Sequence, residues 1–484
     1  MSTNIFMDFV KAGFKPVELS LIANKENLFL EKDVYIDDEL VESGRSHSLT
    51  RGFITALQAV CSQLSIGAFN NVVSMPGMAT HVISGLPDLH IWDYGVTYTG
   101  GSTVRQLVVQ IDGTGTPDTF KWYYGDQVGY PPPSWNATGV AITGDIQYLG
   151  NGIKIIFSNT TGHVLGGYQR IYTSGGSIMP STVFNFIPHS SYPYETGLIF
   201  DASAQAVHLF EHYPISRILN GTGNGQLQYA GLSVTPPAVD ATSSQITITR
   251  SASNGSGSPV TVNGFVLFAP RNQGNSWSGY DVMARDVFSS SKVVNAGSTI
   301  TVNSRIKTSL GASGGFVRQF MDLLYRQAGY TSYGALDISN TSRIESYDYR
   351  VFNPLSIVPY GNTYGWNPNT GLVVGTDPTA VSMTDIALKS IIPHGSGAGQ
   401  LRWFGTIVDP PYYDLMAKTV KFDMYAAFKN DSGGAITVKE IGWYGTHAYP
   451  AYAYLLARMV NANGYVTVNN GDGLIVKLTI GIQL

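Results

Sequence analysis

The amino-acid sequence predicts a mainly β protein. It is expected to consist of β-sandwich modules, each with an amphipathic helix, in a tandem duplicated pair with a small all-β domain inserted into the first copy. Three observations carry this expectation. Turn signals punctuate the whole chain, with 54 glycines and 23 prolines in 484 residues and no collagen-like triplets or low-complexity block. The segments between the turns are rich in Val, Ile, Thr and Tyr, as short strands are. A long stretch of sequence also occurs twice in the same order, the signature of a repeat architecture.

The repeat is read directly. Residues 218–227, Ile-Leu-Asn-Gly-Thr-Gly-Asn-Gly-Gln-Leu, return at 392–401 as Ile-Pro-His-Gly-Ser-Gly-Ala-Gly-Gln-Leu, 174 positions on. At the same offset Gly197-Leu198-Ile199 meets Gly371-Leu372-Val373, and Ala206-Val207 meets Ala380-Val381. Asn254 to Val262 matches Asn430 to Val438, Met283-Ala284-Arg285 matches Leu456-Ala457-Arg458, and Val294 to Val302 matches Val468 to Val476, at offsets between 173 and 176. Upstream, Arg51-Gly52-Phe53 with Leu57 resembles Arg318-Gln319-Phe320 with Leu324, at an offset of 267. The excess of 267 over 174 implies about 93 residues carried only by the first copy. The expected organisation is therefore an arm over 1–40, a first copy over 41–91 and 186–304, an inserted β-domain over 92–185, and a second copy over 305–484.

Each copy should open with a helix. Leu49, Phe53, Ala56, Leu57 and Val60 form an apolar stripe after a cap at Ser48, and Phe316, Phe320, Leu323 and Leu324 form one after Ser313. A second helical element is expected at 205–219 and at 380–391. Strands are expected at Gln245–Thr249 and Leu474–Ile480, with turns at Asn254–Gly257 and Asn430–Gly433. In the insert, Val108–Ile111, Phe120–Tyr124 and Gly152–Phe157 read as strands, and the arm should hold one at Val34–Ile36.

Composition narrows the function. Charged residues make up 13% of the chain, about half the usual share, and hydrophobic residues 43%. This balance disfavours disorder and suits a protein whose surface neighbours cover. A net charge of −4 offers no cationic surplus for nucleic acid. Cys61 has no partner for an internal disulfide. The N-terminus does not read as a signal peptide, and no run of about 18 apolar residues predicts a membrane span.

The second copy resembles a family of tailed-phage structural proteins. The marks are Gly375-Thr376 to Val381, Asp385, the loop Gly395–Gly399, Asn430–Gly442, Leu455–Arg458 and the closing segment Val466–Ile480. Ser46-His47-Ser48 with Arg51 and Phe53 looks like the same family's helix start. The insert resembles a β-domain common in phage tail and fibre proteins, through Asp112–Trp122, Gly139–Gly144 and Thr161-Gly162-His163. It departs from that pattern at Gly166-Gly167-Tyr168, where the family tends to have Gly-Asp-x-Trp. The resemblance implies a virion protein assembled in the host cytoplasm, tail-associated at the baseplate, tail tip or tail-fibre base. Its partners would be other virion structural proteins and further copies of itself, as a homo-oligomer of trimeric or hexameric order. The alternatives are a capsid decoration or head-fibre protein, or a receptor-binding module that takes a host surface glycan through the insert.

No enzyme, cofactor or metal site is expected. His208 and His212 flank Glu211 in an order that is not the zinc-protease one. Asp112 and Asp118 bracket a turn too sparse in acids for an EF-hand-like loop. Gly221–Gly225 and Gly395–Gly399 lack the Gly-Lys-Ser/Thr ending of a P-loop and read as close-packed loops. The acidic residues show no glycosidase-like grouping. The residues named for glycan or partner contact are Trp122, Tyr123, Tyr124 and Trp135, aromatic faces able to stack on a sugar; packing inside the insert is the favoured reading.

Overall fold

In the computed structural model the chain is mainly β. It describes residues 5–23, 27–46, 49–50, 53–54, 57, 79–84, 86, 89–92, 105–125, 131–132, 134–150, 153–157, 159–173, 197–207, 216–273, 276–327, 335–336, 342–343, 371–409, 412–414, 416–446 and 453–483.

The arm begins with helix α1 (Ile5–Lys11) and continues as strands β1 (Phe14–Ala23), β2 (Leu28–Ile36) and β3 (Glu39–Ser46). The insert follows with β4 (Ala79–Ser84), β5 (Leu89–Trp92), β6 (Arg105–Gly113), β7 (Thr119–Gly125), β8 (Ala137–Ala141), β9 (Gln147–Gly150), β10 (Ile153–Phe157) and β11 (Tyr168–Thr173). These form two sheets, ordered β4-β11-β6-β7-β8 and β5-β10-β9. Leu107, Val109, Ile111, Phe120, Ile155 and Phe157 build a core separate from the rest. Both β4 and β5 pair with insert strands although they begin before residue 92, so the sheets of the insert begin upstream of the expected border.

The first module holds β12 (Gly197–Asp201), the short β13 (Gln228–Tyr229), β14 (Ser233–Val234) and β15 (Ala238–Val239), then β16 (Ser243–Ser253), β17 (Val260–Gln273), β18 (Ser276–Val294) and β19 (Thr299–Ser309). β12-β17-β18 form one sheet. β16 and β19 form the centre of the other, with β13, β14 and β15 beside β16 and β2-β3 beside β19. The strand β19 runs through the expected border at residue 304.

The second module holds β20 (Gly314–Phe316), helix α2 (Arg318–Gln327), the two-residue pair β21 (Ala335–Leu336) and β22 (Ser342–Arg343), then β23 (Gly371–Gly375), β24 (Arg402–Val408), β25 (Tyr412–Asp414), β26 (Thr419–Lys429), β27 (Ile436–Val438), β28 (Glu440–Thr446), β29 (Ala453–Val460), β30 (Val466–Val468) and β31 (Gly473–Gln483). One sheet is β20-β29-β28-β23 and the other β1-β31-β26-β24, with β25 also on β26. The sheets pack face to face over one buried core shared with the first module, including Ile246, Ile248, Val302, Phe265, Trp443, Leu456, Phe428 and Leu478.

The arm closes the same edge position in both modules. β1 lies parallel to β31 from Phe14↔Gly473 to Ala23↔Ile482, and β2 lies antiparallel to β19 from Leu28↔Thr308 to Ile36↔Ile300. Thr308 and Ile482 are 174 positions apart. Travelling along the arm, one therefore reaches the end of β31 and then meets the equivalent end of β19. Equivalent strands that point toward one crossing explain why the pairing changes from parallel to antiparallel. Buried charges fasten the arm to the first module: Lys32 Nζ lies 3.1 Å from Glu42 and 2.8 Å from Asp286, and Lys292 Nζ 2.7 Å from Glu42.

Two helix expectations are corrected. α2 starts at Arg318, so Phe316 belongs to β20, paired with Ala457, and its ring packs 4.3 Å from that of Phe320. The segment 380–391 is not helical. Its amides are taken by side chains, with Ser382 N donating to Asp385 and Lys389 N and Ser390 N to Glu440, and such local bonds compete with helix formation. Of the expected 205–219 helix, the described ends at 205–207 and 216–219 are not helical either. Phe53, Ile54 and Leu57 are helical and fully buried; Ala56 and Val60 lie outside the described residues.

Candidate functional site

Three features carry the chemistry of the molecule: a knot in the insert, a buried arginine in each module, and the outer edge of the second module.

In the insert, Asp118 ties together the three sequence marks that set this domain apart. Its carboxylate accepts from Gly115 N at 2.7 Å and from His163 N at 3.0 Å, and lies 2.9 Å from His163 Nδ1. Its own N–H donates to Thr160 O, and its carbonyl accepts from Ile142 N. These hydrogen bonds, the backbone ones foremost, hold the Asp118 carboxyl down at about 2. The His163 ring meets Phe157 edge-on at 5.3 Å. Asp112 does similar work nearby, accepting from Thr119 Oγ1 and Gly139 N at 2.7 Å each. Both aspartates of the turn are thus committed to protein hydrogen bonds.

The four aromatic candidates do not form one stacking platform. Tyr123 and Tyr124 are buried, and Trp122 is half-buried against the insert core with Phe120 and Tyr124. Alternation along β7 sends Tyr123 to the opposite face. Trp135 is half-buried beneath Lys121, whose Nζ lies 4.4 Å from the ring centre. His208 and His212 lie outside the described residues, and among the described residues no group of three or more His, Cys, Asp or Glu is placed to hold a metal ion.

Each module buries one arginine at an equivalent place. Arg285 Nε lies 3.0 Å from Asp201, and Arg458 Nε 2.9 Å from Glu440. Each also donates through Nη1 to the carbonyl of an equivalent alanine, Ala206 or Ala380. The carboxylates come from different strands. Asp201 pairs in register with Gly264, and Gly375 with Glu440. At one register position, therefore, one module has carboxylate then glycine and the other has glycine then carboxylate. A Cβ at Gly375 would meet Glu440 Oε1 and the Ser390 carbonyl oxygen, each at 2.5 Å, so glycine is required there. Arg458 has a second carboxylate, Asp385, at 3.0 Å.

The glycine-rich loops also have matching geometry. Gln226 Oε1 accepts from Gly223 N at 2.9 Å, and Gln400 Oε1 from Gly397 N at 2.8 Å. Gly221 and Gly395 adopt φ of 155° and 149°, and the space of a Cβ there is taken by the glutamine. The loops enclose their own glutamine, which leaves no phosphate cradle. Asn254 and Asn430, both fully buried, each donate two hydrogen bonds across a turn and accept two from a serine.

Sequence reasoning missed the carboxylates Asp201 and Glu440, although the repeated Ala-Arg pair marked their partners. The signal was available as an exchange of acid and glycine between aligned positions. It also missed the outer edge of the second module, where Phe404, Ile407 and Tyr412 are exposed. Comparison with protein-family models, curated proteins and solved structures finds no match for the chain.

Proposed function

We propose that the chain is a non-enzymatic structural component of a tailed-phage virion, tail-associated and acting through protein–protein assembly. The observation that carries this reading is the combination of the phage-type sequence marks with the architecture beneath them. Two modules with matching hydrogen-bond skeletons share one core and are both closed by one N-terminal arm, while the insert keeps a core of its own. A rigid pair of similar modules offers two similar contact faces, which suits a repeating assembly. The insert, which keeps a core of its own and sends Ile156 into the shared one, suits a single contact to a different partner. Asp112 and Asp118 are engaged in internal hydrogen bonds, and Tyr123 and Tyr124 are buried, which favours a structural role for them.

Mass spectrometry of purified virions, followed by separation of tails from heads, tests the reading. The chain should be present in stoichiometric amounts and should follow the tails. Absence from washed virions would remove the proposal, and recovery with heads would move it to capsid decoration.

A further inference from the structure

The two modules differ at one equivalent edge. In the first, the strand beside β16 is broken into β13, β14 and β15, each two residues long, with Pro236 and Pro237 between the last two. Proline and short strands are devices that block edge pairing. In the second, the same place beside β26 holds the seven-residue β24. Trp403 N at its start donates to His394 Nδ1. From Phe404 to Val408, among the described residues, nothing pairs with its outer side.

On this edge Ile407 stands where the first module has Ser233, and Phe404 where it has Ala230. Phe404 is the extra residue of a bulge between Trp403↔Phe428 and Gly405↔Ala427, and it is 48% exposed. Ile407, opposite Tyr425, is 43% exposed. Trp403 and Val408 turn inward against the core. Charges flank the strand: Arg402 at its start, half-exposed and 2.6 Å from Asp431, and Asp409 after its end.

We infer that β24 is the contact through which two copies of this chain associate, edge to edge and antiparallel about a two-fold axis. The occupant is argued from charge and pattern. An antiparallel copy centred on Thr406, with Phe404 and Gly405 counted as the one bulged position, sets that bulge opposite Ile407 and Arg402 opposite Asp409, at both ends by symmetry. A parallel copy would set like charges together. Burial raises the pKa of Asp409, which already accepts from the Tyr425 hydroxyl, so a cation brought beside it is favoured. The outer edges closed by the arm are less suited. β3 carries Glu39, Glu42 and Arg45 and is itself bulged, and β1 contains Pro16. With the matching edge of the first module blocked, sheet extension stops at two copies.

Light scattering coupled to size exclusion, on the full chain at tens of micromolar, tests the inference. The wild type should have an even number of 52.2 kDa subunits. Ile407→Lys should halve that mass or weaken association at least about tenfold, a charge on an edge being a standard barrier to pairing. Arg402→Asp, which touches no core residue, should weaken it in the same direction. Val41→Lys, on the exposed side of β3, should leave the mass unchanged, and thermal unfolding should confirm that each variant is folded. A monomeric wild type, a mass insensitive to both β24 variants, or a mass halved by Val41→Lys would overturn the inference.

Discussion

Arg458 and Glu440 meet inside the second sandwich with Nε and Oε2 2.9 Å apart, and neither side chain reaches solvent. Glu440 also accepts from two amides, Lys389 N at 3.1 Å and Ser390 N at 2.7 Å, so the pair holds the 376–390 loop against the sheet. Breaking a buried pair by removing one partner leaves an uncompensated charge and costs about 3–5 kcal/mol. Glu440→Gly should destabilise the chain by roughly that amount. Adding Gly375→Asp should not recover the loss, because a Cβ there still meets the Ser390 carbonyl oxygen at 2.5 Å. Chemical denaturation of the single and double variants measures both effects.

Asn430 offers a test in which charge and size separate. Its Nδ2 donates to Gly434 O and Val468 O at 2.7 Å each. Asn430→Ala should cost about 2–4 kcal/mol, the loss of several buried hydrogen bonds. Asn430→Asp should cost more at neutral pH, since an anion would face two carbonyl oxygens. The acid introduced there has a raised pKa in the folded state. Its protonated form is favoured by folding, so the Asp variant should regain stability as pH falls, measured by denaturation at several pH values.

Asp118 sets an acid limit on the insert. Its folded pKa of about 2 lies below the ordinary 3.8, so its contribution is fully present above about pH 4 and is lost as pH falls toward 2. Asp118→Asn should lower the stability of the insert at neutral pH and flatten its loss between those limits. Hydrogen exchange of residues 105–125 and 159–173 across pH 2–6 reads this locally. A variant with the same acid profile as the wild type would show that Asp118 has no such role.

The arm is fastened by Lys32. Lys32→Met should leave Asp286 and Glu42 with one cation, Lys292, between them, and should cost about 3 kcal/mol or more. The expected readout is faster proteolysis and amide exchange over residues 28–46, with the insert unaffected. Glu42 reinforces the pH dependence: held at about 2 by Lys292, the Ser289 amide and Lys32, it loses its stabilising contribution as pH falls through that value. Asp286 acts in the opposite direction because burial raises its pKa.

The sequence made the sheet-rich class legible because alternation leaves a local trace. Gln245–Thr249 and Leu474–Ile480 lie within β16 and β31, and Asn254–Gly257 and Asn430–Gly433 are turns between strands. It misplaced what depends on distant partners. Phe316 fits a helical stripe, yet Ala457 recruits its backbone into a sheet. The 380–391 segment has helical residues, yet Glu440 and Asp385 take its amides. The arm's double closure was not legible, since nothing local in Phe14–Ala23 announces a parallel partner 459 residues away. The aromatic candidates Tyr123 and Tyr124 were offered for ligand contact on residue type alone, and their burial depends on which face of β7 the core occupies.

A reconstruction of the intact virion with this subunit located is the most direct test of the structural role. The expected map shows the chain in the tail, its two modules in locally similar environments and its insert turned toward a different neighbour. A map in which the chain has no place in the particle, or in which the two modules sit in unrelated surroundings, would contradict it.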